Sequence, residues 1–276
     1  MRRRLTRGTL AQEVVLVVAA IIVLIPGLFV LFTAFKTQQG YSLDKVGFPS
    51  PITLDNIETA MRNGRFGTWF VNSIILSAGS VLLALVASAP AAFAFARMRF
   101  PGQGLLLSLV TSLIVLPPVV LLLPLFLLLA KTGLIATHLG AIIVYAGLLT
   151  PFSVYLLTSF FRAIPTALID AASIDGAANH TVLLRIVLPL SAPAIVTLIV
   201  VNALWVWNDL LIALVLLPKD DLKTLMTGIT TFGSKYNSDV PVAMMGMLIA
   251  SVPMLILYLV GQRWFIRGLA SGGLKG

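Results

Sequence analysis

One carboxylate interrupts a long apolar run in the second half of the sequence. Asp209 follows Trp207 and Asn208 in the stretch WNDLLIALVLL, and Asn202 and Trp205 lie just before it. A carboxylate, two amides and indole rings can hydrogen-bond to hydroxyl groups and cover flat C–H faces, so this stretch could contact a polar solute. The alternative is structural, with Asp209 paired to a polar neighbour and the Trp residues in an interfacial belt. The spacing leaves both alternatives open.

The sequence lacks the residue patterns that catalysis and metal binding require. No second acid lies well inside another apolar segment, although general acid–base catalysis uses paired groups. Neither His138 nor His180 has a ligand companion at i+3 or i+4, and the chain contains no Cys. The Gly-rich end GLASGGLKG differs from a phosphate-binding loop, because Leu274 follows Gly273 where that motif continues with Lys. We therefore predict that this chain has no catalytic residue, metal site, cofactor or nucleotide site of its own.

The composition indicates that the elements carrying these residues lie in a lipid bilayer. Of the 276 residues, 59% are hydrophobic and 11% are charged, whereas a soluble domain has about 25% charged residues. The net charge of +9 comes from basic residues scattered between apolar segments, without the dense patch that nucleic-acid binding uses. We therefore predict an all-α membrane protein that binds no nucleic acid.

Six segments are apolar over the length of about 20 residues that a membrane-spanning helix requires. They lie at about 12–35, 69–96, 104–130, 139–161, 186–217 and 242–266. Several contain Pro, as at Pro117 and Pro118, so we expect kinked helices. No repeat or linker divides the sequence, which predicts a single transmembrane domain over residues 1–276.

The distribution of Lys and Arg predicts that both termini lie in the cytoplasm. The start MRRRLTRGTL leads into an apolar run too long for a cleavable signal, so we interpret it as the start of an uncleaved first span. In this orientation the segment at about 162–185 is cytoplasmic, and the longer loops at about 36–68 and 218–241 lie outside.

The cytoplasmic segment contains a second polar interruption, DAASIDGAANHTVLLRIVLPL, from Asp170 to Leu190. A helix beginning at Thr166, with Thr166 as its candidate N-cap, would place four residues on one face: Ala167, Ala171, Ile174 and Ala178. Gly176 would end this helix, since Gly costs about 1 kcal/mol relative to Ala in a helix interior. From the residues alone, the segment could dock in a groove of a partner protein, lie on the membrane surface or form an intramembrane catalytic site.

The same stretch resembles the EAA motif of the membrane subunits of binding-protein-dependent ABC importers. The similarity comprises Asp170-Ala171-Ala172, then Gly176, then Ile-Val-Leu-Pro ending at Leu188 and Pro189. Asp170 stands where the family usually has Glu. The end QRWFIRGLASGGLKG and the stretch WNDLLIALVLL are similar to maltose-type carbohydrate permeases.

This resemblance implies the type I ABC importer permease fold, in which six transmembrane helices carry a cytoplasmic coupling helix that fits a cleft on an ATPase. It assigns contact with the ATPase to residues in and after the polar stretch: Asp170, Ala171, Ala172, Asp175, Gly176, Ala177, Leu188 and Pro189. It assigns a further ATPase contact to the C-terminal tail at Gly272, Gly273 and Lys275, for which a frayed terminus is the alternative. The candidate residues of the translocation path are Asn202, Trp205, Asn208 and Asp209.

The function implied by the resemblance is ATP-driven import of a sugar or oligosaccharide across a bacterial or archaeal cytoplasmic membrane. The expected partners are a second permease subunit in a heterodimer, two ATPase subunits that bind ATP and Mg, an extracytoplasmic binding protein that delivers the carbohydrate, and membrane lipid. An ion-coupled secondary carrier is the alternative. Such carriers place ionisable groups near the bilayer midplane and often show inverted repeats, neither of which is evident here beyond Asp209.

Overall fold

The computed structural model of the protein describes residues 7–62, 65–231, 233–234 and 237–272. The described chain is helical. Its helices are α1 (Arg7–Ala34), α2 (Gln38–Leu43), α3 (Asp55–Arg62), α4 (Phe66–Arg97), α5 (Gln103–Ser112), α6 (Pro118–Thr132), α7 (His138–Ala163), α8 (Thr166–Ile174), α9 (Asn179–Val182), α10 (Leu188–Leu190), α11 (Ala192–Asn208), α12 (Leu211–Leu216), α13 (Leu225–Ile229) and α14 (Val240–Gly272). Two short strands, β1 (Gly233–Ser234) and β2 (Asn237–Ser238), pair antiparallel.

Four of these helices, α1, α4, α7 and α14, are long and apolar enough to cross a membrane. Two further stretches of similar composition are bent pairs: Gln103–Val115 meets α6 at 100°, and Asn179–Leu190 meets α11 at 78°. If each pair is one span, the described residues contain up to six spans. The predicted all-α membrane fold is confirmed, whereas the limits of the individual spans stay predictions.

The bend before α6 lies at Pro117 and Pro118. Leu116 and Pro117 have extended backbones, with ψ angles of 119° and 128°. A proline disfavours helical geometry in the residue before it, so consecutive prolines end one helix and begin another. The sequence predicted kinked helices here, and the structure contains a complete break.

The chain is divided into two compact units. One consists of the chain up to Phe66 together with Gly228–Ser251, and the other consists of Gly67–Thr227 and the chain from Val252 onward. The sequence predicted a single domain, and that assignment stays a prediction.

In the first unit, Asn56 of α3 ties down the end of α1. Its Nδ2 donates hydrogen bonds to the carbonyl oxygens of Ala34 and Lys36, at 2.7 and 2.8 Å. Lys36 is only 2% exposed, and its Nζ donates to the carbonyl oxygen of Asp44 at 2.6 Å. Buried polar groups are stable only when they are paired, and these bonds supply the pairing.

The second unit is built around α7. Tyr145 of α7, Leu76 of α4 and Val206 of α11 are buried together in one apolar cluster. Helices α4 and α7 approach closely, since a Cβ atom added at Gly79 would lie 2.8 Å from Cδ1 of Ile142. Small residues at helix crossings allow such an approach and therefore increase packing contacts inside a membrane.

The first turns of α4 hold the loop that follows α12. Nδ2 of Asn72 donates to the carbonyl oxygens of Asp221 and Lys223, at 2.8 and 3.0 Å. Oγ of Ser73 accepts from the backbone N–H of Leu225 at 2.8 Å. Because these contacts join residues about 150 positions apart in sequence, they fix the course of this loop.

Candidate functional site

Helix α8 begins at the position that the sequence predicted, but it has a different cap. Thr166 is its first helical residue, and the N-cap position is occupied by Pro165, with φ −56° and ψ 129°. The prediction that Thr166 itself is the N-cap is therefore wrong. The fixed φ of proline directs the chain from the end of α7 into the new helix without a side-chain cap.

Gly176 ends α8 in a left-handed conformation, with φ +79°. The N–H of Gly176 donates to the carbonyl oxygen of Ser173, and the N–H of Ala177 donates to that of Ala172. This pair of bonds is a Schellman motif, which satisfies the carbonyl groups left open at a helix end and favours glycine at the left-handed position. The predicted end of the helix at Gly176 is confirmed.

The face that the sequence predicted for four small or apolar residues is exposed over the length of α8. Ala167, Ala171 and Ile174 lie on α8 and are exposed, whereas Ala178, also exposed, lies beyond the Gly176 turn, so the prediction that it shares this face is wrong. Ile174 is 87% exposed, a large value for an apolar side chain. Two alanines and one exposed isoleucine form a smooth apolar surface against which a partner's side chains can pack closely.

The other side of α8 packs on a group of buried residues that we call the α7-end cluster. Its members are Ala89, Ala92, Phe93, Leu157, Phe161, Ile164, Val182, Leu183, Val187 and Ala194. Ile169, Ala172 and Ala177 are partly buried against it. The cluster thus joins α8 to α4, to α7 and to the segment leading into α11.

The residues assigned to ATPase contact therefore occupy two environments. Asp170, Ala171, Asp175, Gly176 and Pro189 are exposed. Ala172, Ala177 and Leu188 are partly buried against the α7-end cluster. In the C-terminal tail, Gly272 is the last residue of α14, while Gly273 and Lys275 lie outside the described residues.

Between α9 and α10 the chain forms a π-helical segment, Leu183–Val187. Val182, just before this segment, and Val187, its last residue, are 1% and 0% exposed. This wider turn ends two residues before Pro189, which lacks the N–H that a regular helix would use. The path from α8 to α11 is thus anchored in the α7-end cluster although it includes a π-helical segment.

Asp209 lies at a helix break rather than inside a continuous span. Helix α11 ends at Asn208, and Asp209 itself is extended, with φ −70° and ψ 131°. Its Oδ1 accepts hydrogen bonds from the backbone N–H groups of Ile212 and Ala213, at 3.0 and 3.2 Å. The sequence predicted kinked helices, and within the predicted span at about 186–217 the structure has a break at Asp209, where the carboxylate supplies the acceptor that the first N–H groups of α12 lack.

Tyr145 is the residue that sequence reasoning missed as the partner of Asp209. The Tyr145 hydroxyl donates to Oδ1 of Asp209 at 2.6 Å. Its ring meets that of Trp205 edge to face, with centroids 6.0 Å apart. The only sign of this pair in the sequence was a tyrosine within an apolar segment. Because Tyr145 and Asp209 are 64 positions apart, their spacing did not indicate that they would be in contact.

Three of the four candidate path residues border one recess. A cavity of about 320 Å³ is lined by Pro118, Val119, Trp205, Asn208, Asp209, Leu211 and Ile212. Asn202 does not line it: this residue is 1% exposed, and its Nδ2 donates to Oγ of Ser153 on α7 at 3.1 Å. The recess therefore combines an indole, an amide and a carboxylate, while Asn202 joins two helices.

The chain matches known transport proteins along most of its length. Residues 84–271 match the family described as binding-protein-dependent transport system inner membrane component. The chain is 30% identical over 272 residues to the melibiose/raffinose/stachyose import permease protein MelC of Bacillus subtilis, covering 97% of this chain and 98% of that protein. It is 32% identical over 255 residues to the trehalose transport system permease protein SugB of Mycobacterium tuberculosis, covering 92% and 93%.

A solved structure has the same fold. It is that of a bacterial ABC transporter involved in the import of the acidic polysaccharide alginate, and it covers 96% of this chain and 100% of its own with a TM-score of 0.83 at 20% identity. The match to the family and the similarity to the two relatives confirm the resemblance seen in the EAA-like stretch. The chain belongs to the family of binding-protein-dependent transport system inner membrane components, the membrane permease subunits of ABC transporters.

Proposed function

We propose that this chain is the membrane-spanning subunit of an ATP-driven importer that moves a sugar or oligosaccharide into the cell. Its relatives include permeases named for melibiose, raffinose, stachyose and trehalose. The observation that carries the proposal is the exposed apolar face of α8, which the Gly176 turn ends and the α7-end cluster supports. This geometry suits a helix that is received by a groove on another protein.

In this proposal α8 is the coupling helix. Ala172 and Ala177 pack against the same cluster as Phe161 of α7 and Val187 of the π-helical segment. Because a packed interior transmits displacement rather than absorbing it, a push on the exposed face of α8 moves the ends of α7 and the α11 segment together. Asp170 and Asp175, both exposed, are available to basic groups of the ATPase.

The complete importer contains this chain, a second permease subunit as a heterodimer partner, two ATPase subunits and an extracytoplasmic binding protein. ATP and Mg bind to the ATPase subunits, and this chain contributes no ATPase site of its own. Both termini lie on the cytoplasmic side of a bacterial or archaeal cytoplasmic membrane. The loops at 36–68 and 218–241 then face the binding protein, and the bonds from Asn72 keep the second of these loops in place.

The recess beside Asp209 is a proposed contact of the sugar in transit. Its indole and polar groups have the chemistry that sugars require, namely a ring face for C–H groups and acceptors for hydroxyls. Trp205 is 38% exposed and Asn208 is exposed, so both remain accessible while Tyr145 holds Asp209. A translocation path should make few and weak contacts with the sugar, since tight binding would slow the release of the sugar.

Reconstitution of the assembled complex tests the proposal. Proteoliposomes containing this chain, its partner permease and the ATPase subunits would receive the binding protein together with trehalose, melibiose, raffinose or stachyose. We expect at least one sugar to stimulate ATP hydrolysis and to enter the vesicles only when ATP is present on the ATPase side. Uptake that continues without the ATPase subunits and stops when an ionophore dissipates the ion gradient would instead establish an ion-coupled carrier.

A further inference from the structure

Arg97, the last residue of α4, reaches the junction between α7 and α8. Its Nη2 donates hydrogen bonds to the carbonyl oxygens of Phe161, in the last turn of α7, and of Ile164, just beyond its end. The last carbonyl groups of a helix have no partner within that helix, so they need a donor from elsewhere. Here a guanidinium from a different helix is a donor to both carbonyl groups, in addition to the N–H of Ile164 that also donates to Phe161.

The same guanidinium also acts on α8. Arg97 interacts electrostatically with the carboxylate of Asp170, the acid of the EAA-like stretch. Among the residues that the structure describes, the Nε of Arg97 is buried without a hydrogen-bond partner. A half-buried cation with one unsatisfied donor is costly by itself, and the neighbouring acid and carbonyl oxygens offset that cost.

Further contacts join α4 to the same junction. Ala92 and Phe93 of α4 belong to the α7-end cluster against which Ile169 and Ala172 of α8 pack. In the opposite direction, Nη2 of Arg162 near the end of α7 donates to the carbonyl oxygen of Phe95 at 3.2 Å. The end of α4 is therefore held to the α7–α8 junction by apolar packing and by hydrogen bonds in both directions.

We propose that Arg97 is a positioning residue that fixes α8 to the C-terminal end of α4, so that α4 moves with α7 and α8 when the ATPase displaces the coupling helix. The inference rests on the proposed function for the statement that α8 is the element moved. It adds a second mechanical connection into the helix bundle, beside the covalent one that runs through the π-helical segment to α11. In this arrangement Asp170 interacts with Arg97 within this chain as well as with the ATPase.

Spin labels can test this connection because the chain contains no Cys. One label is placed at Met98→Cys, next to Arg97, and the other at Ile174→Cys on α8, both exposed positions. In the assembled complex, made with Cys-free partners, we expect one narrow distance distribution that is the same without nucleotide and with ATP bound. A distance that changes with nucleotide in the unsubstituted background would overturn the proposal.

The substitution Arg97→Gln removes the cation and the double donation. Because hydrogen bonds to charged groups are strong, we expect the population with α8 released from α4 to rise about tenfold, and uptake per ATP hydrolysed to fall in proportion to the released fraction. Arg97→Lys, which keeps a cationic nitrogen with several donors, should restore most of the narrow distribution. The matched control is Arg99→Gln, at an exposed arginine two residues further, which should change neither readout.

Two outcomes of the Arg97 series would contradict the proposal: an unchanged distance distribution in Arg97→Gln, or equal broadening in Arg99→Gln. If Arg97→Gln does not assemble, Asp170→Asn replaces it, since this exposed position carries no packing. We expect Asp170→Asn to broaden the distribution, and an unchanged distribution would refute the link. The measurement without nucleotide requires no transport, so failure of the proposed function and failure of this inference are distinguishable.

Discussion

The hydroxyl of Tyr145 lies 2.6 Å from Oδ1 of Asp209, and this bond joins the middle of α7 to the break between α11 and α12. The same oxygen caps the first turn of α12 through Ile212 and Ala213. One carboxylate oxygen therefore secures both a helix start and a contact between helices. The structural interpretation of Asp209 is supported by these bonds, while the carboxylate still borders the recess.

Substitution of Asp209 separates its structural role from its proposed contact with sugar. Asp209→Ala removes the acceptor of three donors, and loss of a helix cap alone costs about 0.5–2 kcal/mol, so we expect a lower Tm of the purified complex. Asp209→Asn keeps one acceptor oxygen and should assemble normally. If the recess contacts sugar, Asp209→Asn should lower uptake at unchanged Tm, as should Trp205→Ala. Normal assembly with normal uptake in Asp209→Asn would remove Asp209 from the path.

At Gly176 the effect of a substitution should depend on whether the new residue can adopt a left-handed backbone, and not on the size of its side chain. A Cβ atom added there meets nothing within 4 Å, so crowding contributes nothing, whereas φ is +79°. A left-handed backbone costs non-Gly residues about 1–2 kcal/mol, most for β-branched ones and least for Asn. We expect Gly176→Val to insert and assemble but to reduce uptake per ATP hydrolysed about tenfold. Gly176→Asn is the matched control and should retain most uptake; equal uptake in both variants would refute the proposed docking geometry.

Asn72 should control the order of the loop after α12 that it binds. Asn72→Asp replaces a double donor by an acceptor facing two carbonyl oxygens, and an unsatisfied buried group costs about 1–3 kcal/mol. We therefore expect trypsin to cleave after Lys219 about tenfold faster, and ATP hydrolysis to lose its stimulation by the binding protein. Ser73→Ala, which removes the acceptor for Leu225, should act in the same direction but less strongly. Unchanged cleavage in both variants would show that these bonds do not hold the loop.

The turn after α2 should depend on pH through Asp44. Hydrogen bonds from the backbone N–H groups of Gly47 and Val46 lower the pKa of the Asp44 carboxyl, with a smaller contribution from the charge of Lys36. The pKa of Asp44 is lower in the folded protein than in the unfolded chain, so ionised Asp44 stabilises the turn at pH values above the unfolded pKa. This stabilisation is lost as the pH falls through the folded pKa. Hydrogen–deuterium exchange at Val46 and Gly47, corrected for intrinsic rates, should increase only at acid pH. In Asp44→Ala the exchange at these two residues should be high at every pH. Identical pH profiles of exchange in Asp44→Ala and in the unsubstituted protein would contradict the role given to Asp44.

The sequence was most informative where a residue type has one dominant physical use. Gly176 follows an alanine-rich helix and supplies a left-handed backbone, so the end of α8 could be located from residue types alone. The helix break at Asp209 could not, because no Pro or Gly marks it. Its cause is a side chain that caps α12 while bonded to Tyr145, and both contacts depend on how α7 lies beside α11.

The family followed from the resemblance of one stretch to the EAA motif, whereas the sequence by itself predicted the lipid solvent, the helical class, the approximate number of spans, and the start of α8 with its end at Gly176. These properties follow from apolar length, from the distribution of charge and from local backbone preferences, all of which act over a few turns of chain. Only the tertiary structure decided that Tyr145 pairs with Asp209, that Asn202 bonds to Ser153 and that Arg97 reaches the end of α7. Each pairing joins helices far apart in sequence, and a polar side chain in an apolar helix does not show which helix will be packed beside it.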